Sequence, residues 1–279
     1  MQLDVSAIVC TWNCRNTIER CLKSLRDNNV GEVILVDASS NDGTREIASK
    51  YVDKVLTDPR EGLARARNIG IAEAIKTYVV NVGADNIMPK GSIAKMLEYM
   101  KEGGYAGVSA MTFMMDTRMN YITNAMNYYK KARFFPGERA VIGTPTLFRT
   151  RLLQENPYDN KMSWSDDGDL CTRLGKEGNK FAIANVGVYE IGSETIKSVF
   201  YRWKGYGKSD WETYTKNSPG WNIRRKIFSI TYPLRNELLY PFIKIPGANR
   251  FRVLPFISLI TFIRYYNWIK FTLKSKKTL

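Results

Sequence analysis

The sequence predicts an α/β fold: a mixed, mainly parallel sheet with helices on both faces, followed by a basic, apolar helical segment. Three observations carry this. Short apolar runs alternate with helix-period segments through the first half of the 279 residues, the pattern of successive β-α-β units. The composition is that of a globular chain, 44% hydrophobic and 25% charged. The charge is segregated: Trp221 to Leu279 hold 12 Lys or Arg against one acid, Glu237, while the first 220 residues hold 30 basic and 26 acidic side chains.

The elements follow in order. Val5 to Trp12 reads as a buried strand. Asn16 to Asp27 reads as a helix capped by Asn16, with Ile18, Cys21, Leu22 and Leu25 on one apolar face. Glu32 to Asp37 is a second strand, followed by the polar turn Ala38-Ser39-Ser40-Asn41-Asp42-Gly43 and a helix from about Thr44 to Tyr51. Lys54 to Thr57 is a third strand, and an Ala-rich helix covers Leu63 to Ile75. Tyr78 to Val82 is a fourth strand, Pro89 opens another helix, and Tyr105 to Phe113 is the fifth strand. We divide the chain into 1–205, the α/β domain, and 206–279, the basic segment.

Composition excludes several chemistries. There is no histidine, so Ser-His-Asp triads and most zinc sites are ruled out, and acid–base work falls mainly to carboxylates. Neither a Gly-x-Gly-x-x-Gly turn nor a Gly-x-x-x-x-Gly-Lys loop occurs, which argues against a dehydrogenase or a P-loop NTPase. Cys10, Cys14, Cys21 and Cys171 match no common zinc spacing and read as free thiols. The start, Met1-Gln2-Leu3-Asp4, lacks a basic region followed by an apolar stretch, so we expect no secretory signal there.

In a parallel sheet the ligand lies beyond the carboxyl ends of the strands. Polar residues stand there at Thr11-Trp12-Asn13, at Asp37 and at Gly83-Ala84-Asp85. Asp37 suits a base imide or ribose hydroxyl, or equally a turn. Asp85 suits a hard divalent cation on a diphosphate, or is an ordinary loop aspartate. Asp166-Asp167-Gly168-Asp169 puts three acids in four residues, where mutual repulsion raises at least one pKa; a helix cap would need only one of them. Arg65 and Arg67 lie two apart on a helix, so at most one faces the crevice.

Together these stretches resemble the inverting nucleotide-diphosphosugar glycosyltransferases of family 2, with the GT-A fold. Val9-Cys10-Thr11-Trp12-Asn13 is similar to that family's "V-P-x-Y-N" strand end. Val36 through Thr44 resembles "V-D-D-G-S-x-D-G-T", and Glu61 through Gly70 resembles "x-G-x-x-x-A-R-N-x-G". Gly83-Ala84-Asp85 stands where the family has "D-A-D", and Asp166 through Leu174 resembles "E-D-x-D-L-x-x-R-L". The resemblance implies a hexosyltransferase-type enzyme. Thr11, Trp12, Asn13, Asp37, Arg67 and Asp85 would bind the donor, and Asp85 would hold Mg²⁺ or Mn²⁺ on the diphosphate. Asp167 would be the general base, with Asp166 shaping its environment. Two positions depart from the pattern: Gly83 replaces the first aspartate of "D-A-D", and Ala38 the second of "V-D-D". Beyond Leu174 the likeness fades, although Tyr201 to Gly207 is similar to a late Arg/Trp/Gly segment that could set a cation over the diphosphate; a surface helix ending at glycine is the equal alternative.

The basic tail points to an anionic membrane surface. Its longest uncharged stretch, Val253 to Ile263, is shorter than the roughly 20 apolar residues a span needs. Tyr232, Tyr240, Tyr265, Tyr266 and Trp268 are the aromatics favoured at headgroups, and Lys274, Lys276 and Lys277 close the chain. A helical subdomain packed on the core is the competing reading. We therefore expect a cytoplasmic enzyme, peripheral on the inner face of the membrane, acting on a lipid-linked or membrane-proximal glycan. Transfer onto a polyprenyl phosphate and a nucleotide-sugar-binding protein with weak catalysis are the alternatives. No nucleic-acid-recognition motif accompanies the charge.

Overall fold

The computed structural model of the protein describes residues 2–115, 120–162, 164–192 and 194–275; Lys276 and Lys277 lie outside them. These residues form two compact units. One comprises Met1–Met115, Phe135–Lys161 and Asp166–Gly192; the other comprises Asp116–Phe134, Met162–Ser165 and Ser193–Leu279. The division drawn from sequence at 205/206 falls inside a single helix, Ile196–Asn217.

The first unit runs β1 (Leu3–Thr11), α1 (Ile18–Asp27), β2 (Val30–Asp37), α2 (Thr44–Ala48), β3 (Lys54–Thr57), α3 (Leu63–Ala72), β4 (Tyr78–Gly83), β5 (Asn86–Ile87), α4 (Ser92–Glu102) and β6 (Gly107–Met115). After α5 (Tyr121–Arg133), which belongs to the second unit, it continues with β7 (Gly137–Arg139), β8 (Thr146–Arg149), α6 (Thr150–Glu155), α7 (Asp166–Lys176) and β9 (Phe181–Ile191). The strands form one sheet in the order β3-β2-β1-β4-β8-β6-β9-β5, with β7 also on β9. The pairs β1·β2, β1·β4, β2·β3 and β6·β9 are parallel, and β8 runs antiparallel between β4 and β6. The sheet is thus mixed, with its longest registers parallel.

Both faces are covered, so the strands read as nearly continuous apolar runs. Val5, Ala7 and Val9 of β1 join Ile18, Leu22 and Leu25 of α1 and Ile93 and Met96 of α4 on one face. Ile8, Ile34 and Val36 meet Ala64, Ala66 and Ile71 of α3 and Leu170 and Leu174 of α7 on the other. The alternation along a strand is what sends neighbours to opposite layers.

Several boundaries differ from the sequence reading. Helix α1 starts at Ile18 behind Thr17, which makes no side-chain cap bond, and Asn16 does not cap it. Pro89 lies in a turn, its carbonyl accepting from the Ser92 amide at 2.9 Å, and α4 begins after Gly91 in the left-handed region. Helices α2 and α3 stop at Ala48 and Ala72, short of Tyr51 and Ile75. The fifth predicted strand is shifted to Gly107–Met115.

The second unit contains α5, α8 (Ile196–Asn217), α9 (Ile223–Ile230), a π-helical turn at Leu234–Leu239, α10 (Tyr240–Lys244) and α11 (Asn249–Ser275). A Cβ on Gly207 would lie 2.4 Å from the Arg264 carbonyl oxygen, so α8 and α11 touch backbone to backbone there. The π-helical turn places Glu237 in the interior. Its carboxylate accepts from the Tyr129 hydroxyl, pairs with Arg133 at 3.3 Å and with Arg264, and Arg264 also meets Asp210 at 2.5 and 2.8 Å. Tyr232 and Trp268, expected at headgroups, are used for packing: Arg264 sits 5.1 Å from the Tyr232 ring, and Trp268 is buried. Trp203 is buried against Glu237, and Arg202 pairs with Glu194 at 2.8 Å. Among the described residues no helix is long and apolar enough to cross a membrane.

Gly70 sets how closely α3 lies on the sheet. A Cβ there would stand 2.5 Å from Ile8 Cγ2 and 3.0 Å from Val36 Cγ2. We expect Gly70→Ala to lower stability by about 1–3 kcal/mol, the usual cost of overpacking, measured by urea unfolding.

Candidate active site

The strand registers bring the candidate residues to one edge. Thr11 stands opposite Asp37, Cys10 opposite Gly83, and Asp37 opposite Thr57. Because β1, β2, β3 and β4 are mutually parallel, the loops after them leave the sheet at the same end, where ligands of such sheets bind. Strand β8 runs the other way, so the loop before it, carrying Thr144, arrives at that edge too.

The first corner is built around Asp37, which is fully buried. Its Oδ1 accepts from Thr11 Oγ1 at 3.0 Å and Ser40 Oγ at 2.6 Å, and its Oδ2 accepts from the Ser40 amide at 3.0 Å. Asn13, at φ 53°, lies in the left-handed region that asparagine tolerates better than most residues. Its Oδ1 accepts from the Asn41 amide at 3.0 Å, and its own amide donates to Ser40 Oγ at 2.9 Å. Asp37 therefore ties the loops after β1 and β2 together, with capacity for about one more hydrogen bond. The flat surface at this corner is Trp12, 60% exposed. The Arg60 guanidinium lies 5.2 Å from its ring and donates to the Ala38 and Ser39 carbonyls at 2.7 and 3.1 Å. Arg60 carries no motif and escaped the sequence reading.

The second corner is the turn after β4. Asp85 is exposed, and its Oδ1 accepts from Asn86 Nδ2 at 3.3 Å. Its carboxylate leans back over Gly83: a Cβ on that glycine would be 2.9 Å from Asp85 Oδ1. Among the described residues no group of three His, Cys, Asp or Glu side chains could cage a metal ion. A single exposed carboxylate fits a hard cation that keeps waters and takes its other ligands from phosphates, and does not fit an all-protein site.

The third corner is buried and charged. Helix α3 turns Arg67 inward and leaves Arg65 outside, paired with Glu61 at 3.0 Å. Arg67 Nη1 donates to Asp166 Oδ2 at 2.5 Å and to Asp167 Oδ1 at 3.1 Å, and Nη2 donates to the Thr144 hydroxyl. Burial works against the Arg67 charge, but Asp167, Tyr158 and Asp166 outweigh it and hold the guanidinium firmly protonated. One cation faces two acids here. Burial, and then the neighbouring Asp166, push the Asp167 carboxyl up to about 6, against the opposing pull of Arg67. The sequence anticipated repulsion as the cause; desolvation is the larger one. Asp169 is set apart by an ion pair with Arg173 at 2.9 Å.

Tyr158 supports this corner and was not anticipated. The Asn68 side chain clamps its backbone, accepting from the Tyr158 amide at 3.0 Å and donating to its carbonyl at 2.8 Å. Arg67 lies 5.2 Å from its ring, and its hydroxyl, which accepts from Asn81 at 3.3 Å, lowers the Asp167 pKa by hydrogen bonding. Two thiols near these corners are shifted by burial. Burial raises Cys14, with Asp85, Asp42 and Asp37 adding to the shift. Burial pushes Cys10 up to about 12, with Arg67 opposing and Asp58 and Asp166 adding. Cys10 lies near the end of β1 and Cys14 in the loop that follows it.

The sequence pattern of the family described as Glycosyl transferase family 2 matches residues 6–156. Among curated proteins, the chain is 34% identical over 106 residues to the putative teichuronic acid biosynthesis glycosyltransferase TuaG of Bacillus subtilis, covering 35% of this chain and 42% of that one. It is 26% identical over 217 residues to the succinoglycan biosynthesis protein ExoA of Rhizobium meliloti, covering 72% and 66%. An uncharacterized glycosyltransferase of Rickettsia conorii matches at 26% over 170 residues, but the match spans 28% of that protein's length. Among solved structures, S. aureus TarS 1-349 in complex with UDP-GlcNAc aligns with a TM-score of 0.57 at 15% identity, covering 96% of this chain and 89% of that one. The fold is the GT-A-like mixed α/β fold of that structure.

The raised Asp167 pKa makes a stability prediction. The folded chain holds this proton more tightly than an unfolded one, whose value is near 3.8. Ionising Asp167 therefore costs stability: the cost is absent below the unfolded value, grows as pH rises and is complete above about 6. Asp167→Asn, which cannot ionise, is expected to be more stable than the parent at pH 7.5 by on the order of 2 kcal/mol, and to lose that advantage as pH falls toward about 4, in denaturant titrations.

Proposed function

This chain belongs to glycosyl transferase family 2, and from that premise we propose that it is an inverting enzyme. It moves a hexosyl group from a nucleotide-diphosphosugar to an acceptor hydroxyl on a lipid-linked or membrane-proximal glycan, working at the cytoplasmic face of a membrane. The observation that supports the reading is Asp167: a carboxylate raised toward 6 and held by Arg67, which also donates to Thr144 in the loop before β8.

In this reading Trp12 stacks the nucleoside base. Thr11, Asn13 and Asp37 shape the pocket for base and ribose, and Arg67 stands toward the diphosphate side. Asp85 would hold Mg²⁺ or Mn²⁺. When bound, that cation offsets the negative charge that grows on the leaving diphosphate. Asp167 takes the proton of the acceptor hydroxyl. The acceptor oxygen then bonds to the anomeric carbon from the face opposite the nucleotide. The bond from that carbon to the phosphate oxygen breaks, its electrons staying with the nucleotide, and the configuration inverts. Asp166 keeps Arg67 in place and sustains the raised Asp167 pKa. A base near 6 is mostly ionised at neutral pH yet basic enough to accept the proton.

A hydroxyl acceptor is favoured over a polyprenyl phosphate, which is already ionised and needs no such base. The nucleotide-sugar donor is supported by family membership and by the UDP-GlcNAc held in the TarS structure.

UDP-GlcNAc with Mn²⁺ is the first probe, followed by other nucleotide sugars, using thermal shift and transfer assays. Donor binding should raise the unfolding midpoint, and Trp12→Ala should weaken that shift. Asp167→Asn should keep the shift and lower kcat by roughly 10²–10⁴-fold. Unchanged turnover in that variant would remove Asp167 as the base, and a shift without turnover in the parent would favour a binding protein weakened at Gly83.

The ionised base is the active form, so kcat/KM should rise with pH through about 6 and then level off. Tyr158→Phe removes a hydrogen bond that lowers the Asp167 pKa and should move that limb to higher pH.

A further inference from the structure

Helix α11 is apolar on its exposed side as well as on its buried one. Its buried side carries Arg264, Asn267 and Thr261 among the apolar residues. Its outward side carries Phe251, Leu259, Phe262, Tyr266, Ile269 and Leu273, the last five spaced by three and four residues along one stripe. Phe262 is 66% exposed and Leu273 58%. A groove of about 320 Å³ runs along the last turns, lined by Tyr266, Ile269, Lys270, Leu273 and Lys274.

Helix α9 behaves in the same way. None of its residues is buried, and Ile223, Ile227 and Ile230 continue through Leu234 at helical spacing, all exposed. Tyr265 fixes its end to α11: the hydroxyl donates to the Ile230 carbonyl at 2.8 Å and accepts from the Leu234 amide at 3.4 Å.

Cations accompany both stripes: Arg224, Arg225 and Lys226 on α9, and Arg252 and Lys270 on α11. The one acid between Trp221 and Leu279, Glu237, is buried against Arg133 and Arg264 and contributes no negative charge to the surface.

We propose that the outward faces of α9 and α11 form one docking surface for an anionic lipid bilayer, on which both helices lie in the interfacial plane. The inference deepens the membrane-proximal reading above and rests on it. The three-four spacing on α11 would also suit a second copy of the chain. Two such faces, however, would bring cations against cations with no exposed acid between them. An anionic headgroup layer takes the cations, while the acyl boundary takes the Phe, Ile and Leu side chains. The absence of any helix able to span, among the described residues, makes this attachment superficial.

The test uses the full chain in co-sedimentation with phosphatidylcholine vesicles, with and without phosphatidylglycerol. We expect binding to the mixed vesicles that weakens with salt, and much less to phosphatidylcholine alone. Phe262→Glu/Leu273→Glu should abolish binding to both. Arg252→Ala/Lys270→Ala should reduce binding to the anionic vesicles about thirtyfold and leave residual neutral binding unchanged. Each variant should keep the parent's unfolding midpoint and its UDP-GlcNAc shift, which separates this surface from the donor site. A parent lacking the donor shift but still binding anionic vesicles would fail the transferase reading and support this one. Absence of vesicle binding by the parent overturns the proposal, as does equal binding to both vesicles at all salt concentrations. A vesicle-inert dimer that Phe262→Glu/Leu273→Glu splits would assign the face to a second copy instead.

Discussion

The buried meeting of Arg67 with Asp166 and Asp167 ties distant segments of the first unit together. Charges taken from water are costly unless paired with good geometry, and Arg67 without either carboxylate would be a stranded charge, typically a cost of about 3–5 kcal/mol. With Asp166 in place it keeps a partner when Asp167 is neutral. Arg67 answers that demand with four contacts: two carboxylates, the Thr144 hydroxyl and the face of Tyr158. These partners come from three segments: the start of α7, the loop before β8 and the stretch after α6. The pair thereby sets where α7 starts, where the loop before β8 runs and how α3 is rotated. It also leaves a residue of unbalanced charge, since one guanidinium cannot neutralise two acids. Asp167 has a raised pKa, chiefly because it is withdrawn from water and then because Asp166 adjoins it, and that is the property a base needs.

The sheet makes the meeting possible. Parallel strands deliver their following loops to one edge, and this accounts for Trp12, Asp37 and Asp85. It does not account for Thr144, which reaches the edge from the other side of the chain's path. The antiparallel insertion of β8 between β4 and β6 does that. Gly70 serves the same end by letting α3 sit close enough to the sheet for Arg67 to reach across. Gly83 is different: without a side chain there, the Asp85 carboxylate can lie over the turn.

In the second unit the same electrostatic logic has another result. Glu237 lies in the interior between Arg133 and Arg264, in a π-helical turn that supplies the extra residue needed to aim it inward. Buried networks of this kind add little net stability but select one arrangement among several. Here the network takes Arg264 into the interior beside Ile260 and Ile263 of the same helix, while a second apolar stripe of α11 stays exposed.

How far the sequence could be read differs from residue to residue. Alternation, strand ends and turn chemistry are local, and they sufficed for β1 to β4 and for the position of Asp37 and Asp85. Helix geometry alone predicted that Arg65 and Arg67 would part company, and they do. β5, β7 and β8 have two to four residues and exist because partners pair with them, so no period announces them. Arg60 and Tyr158 sit in no pattern. Aromatic content placed Trp268 at a headgroup layer, yet packing buries it, because composition does not say which side of a helix faces out. What the sequence by itself determined was the fold class and the chemistry available, since both follow from neighbouring residues. Tertiary structure alone decided that Asp167 is desolvated and held by an arginine 100 positions away. A pKa depends on what surrounds the group in space, and only the folded chain supplies that.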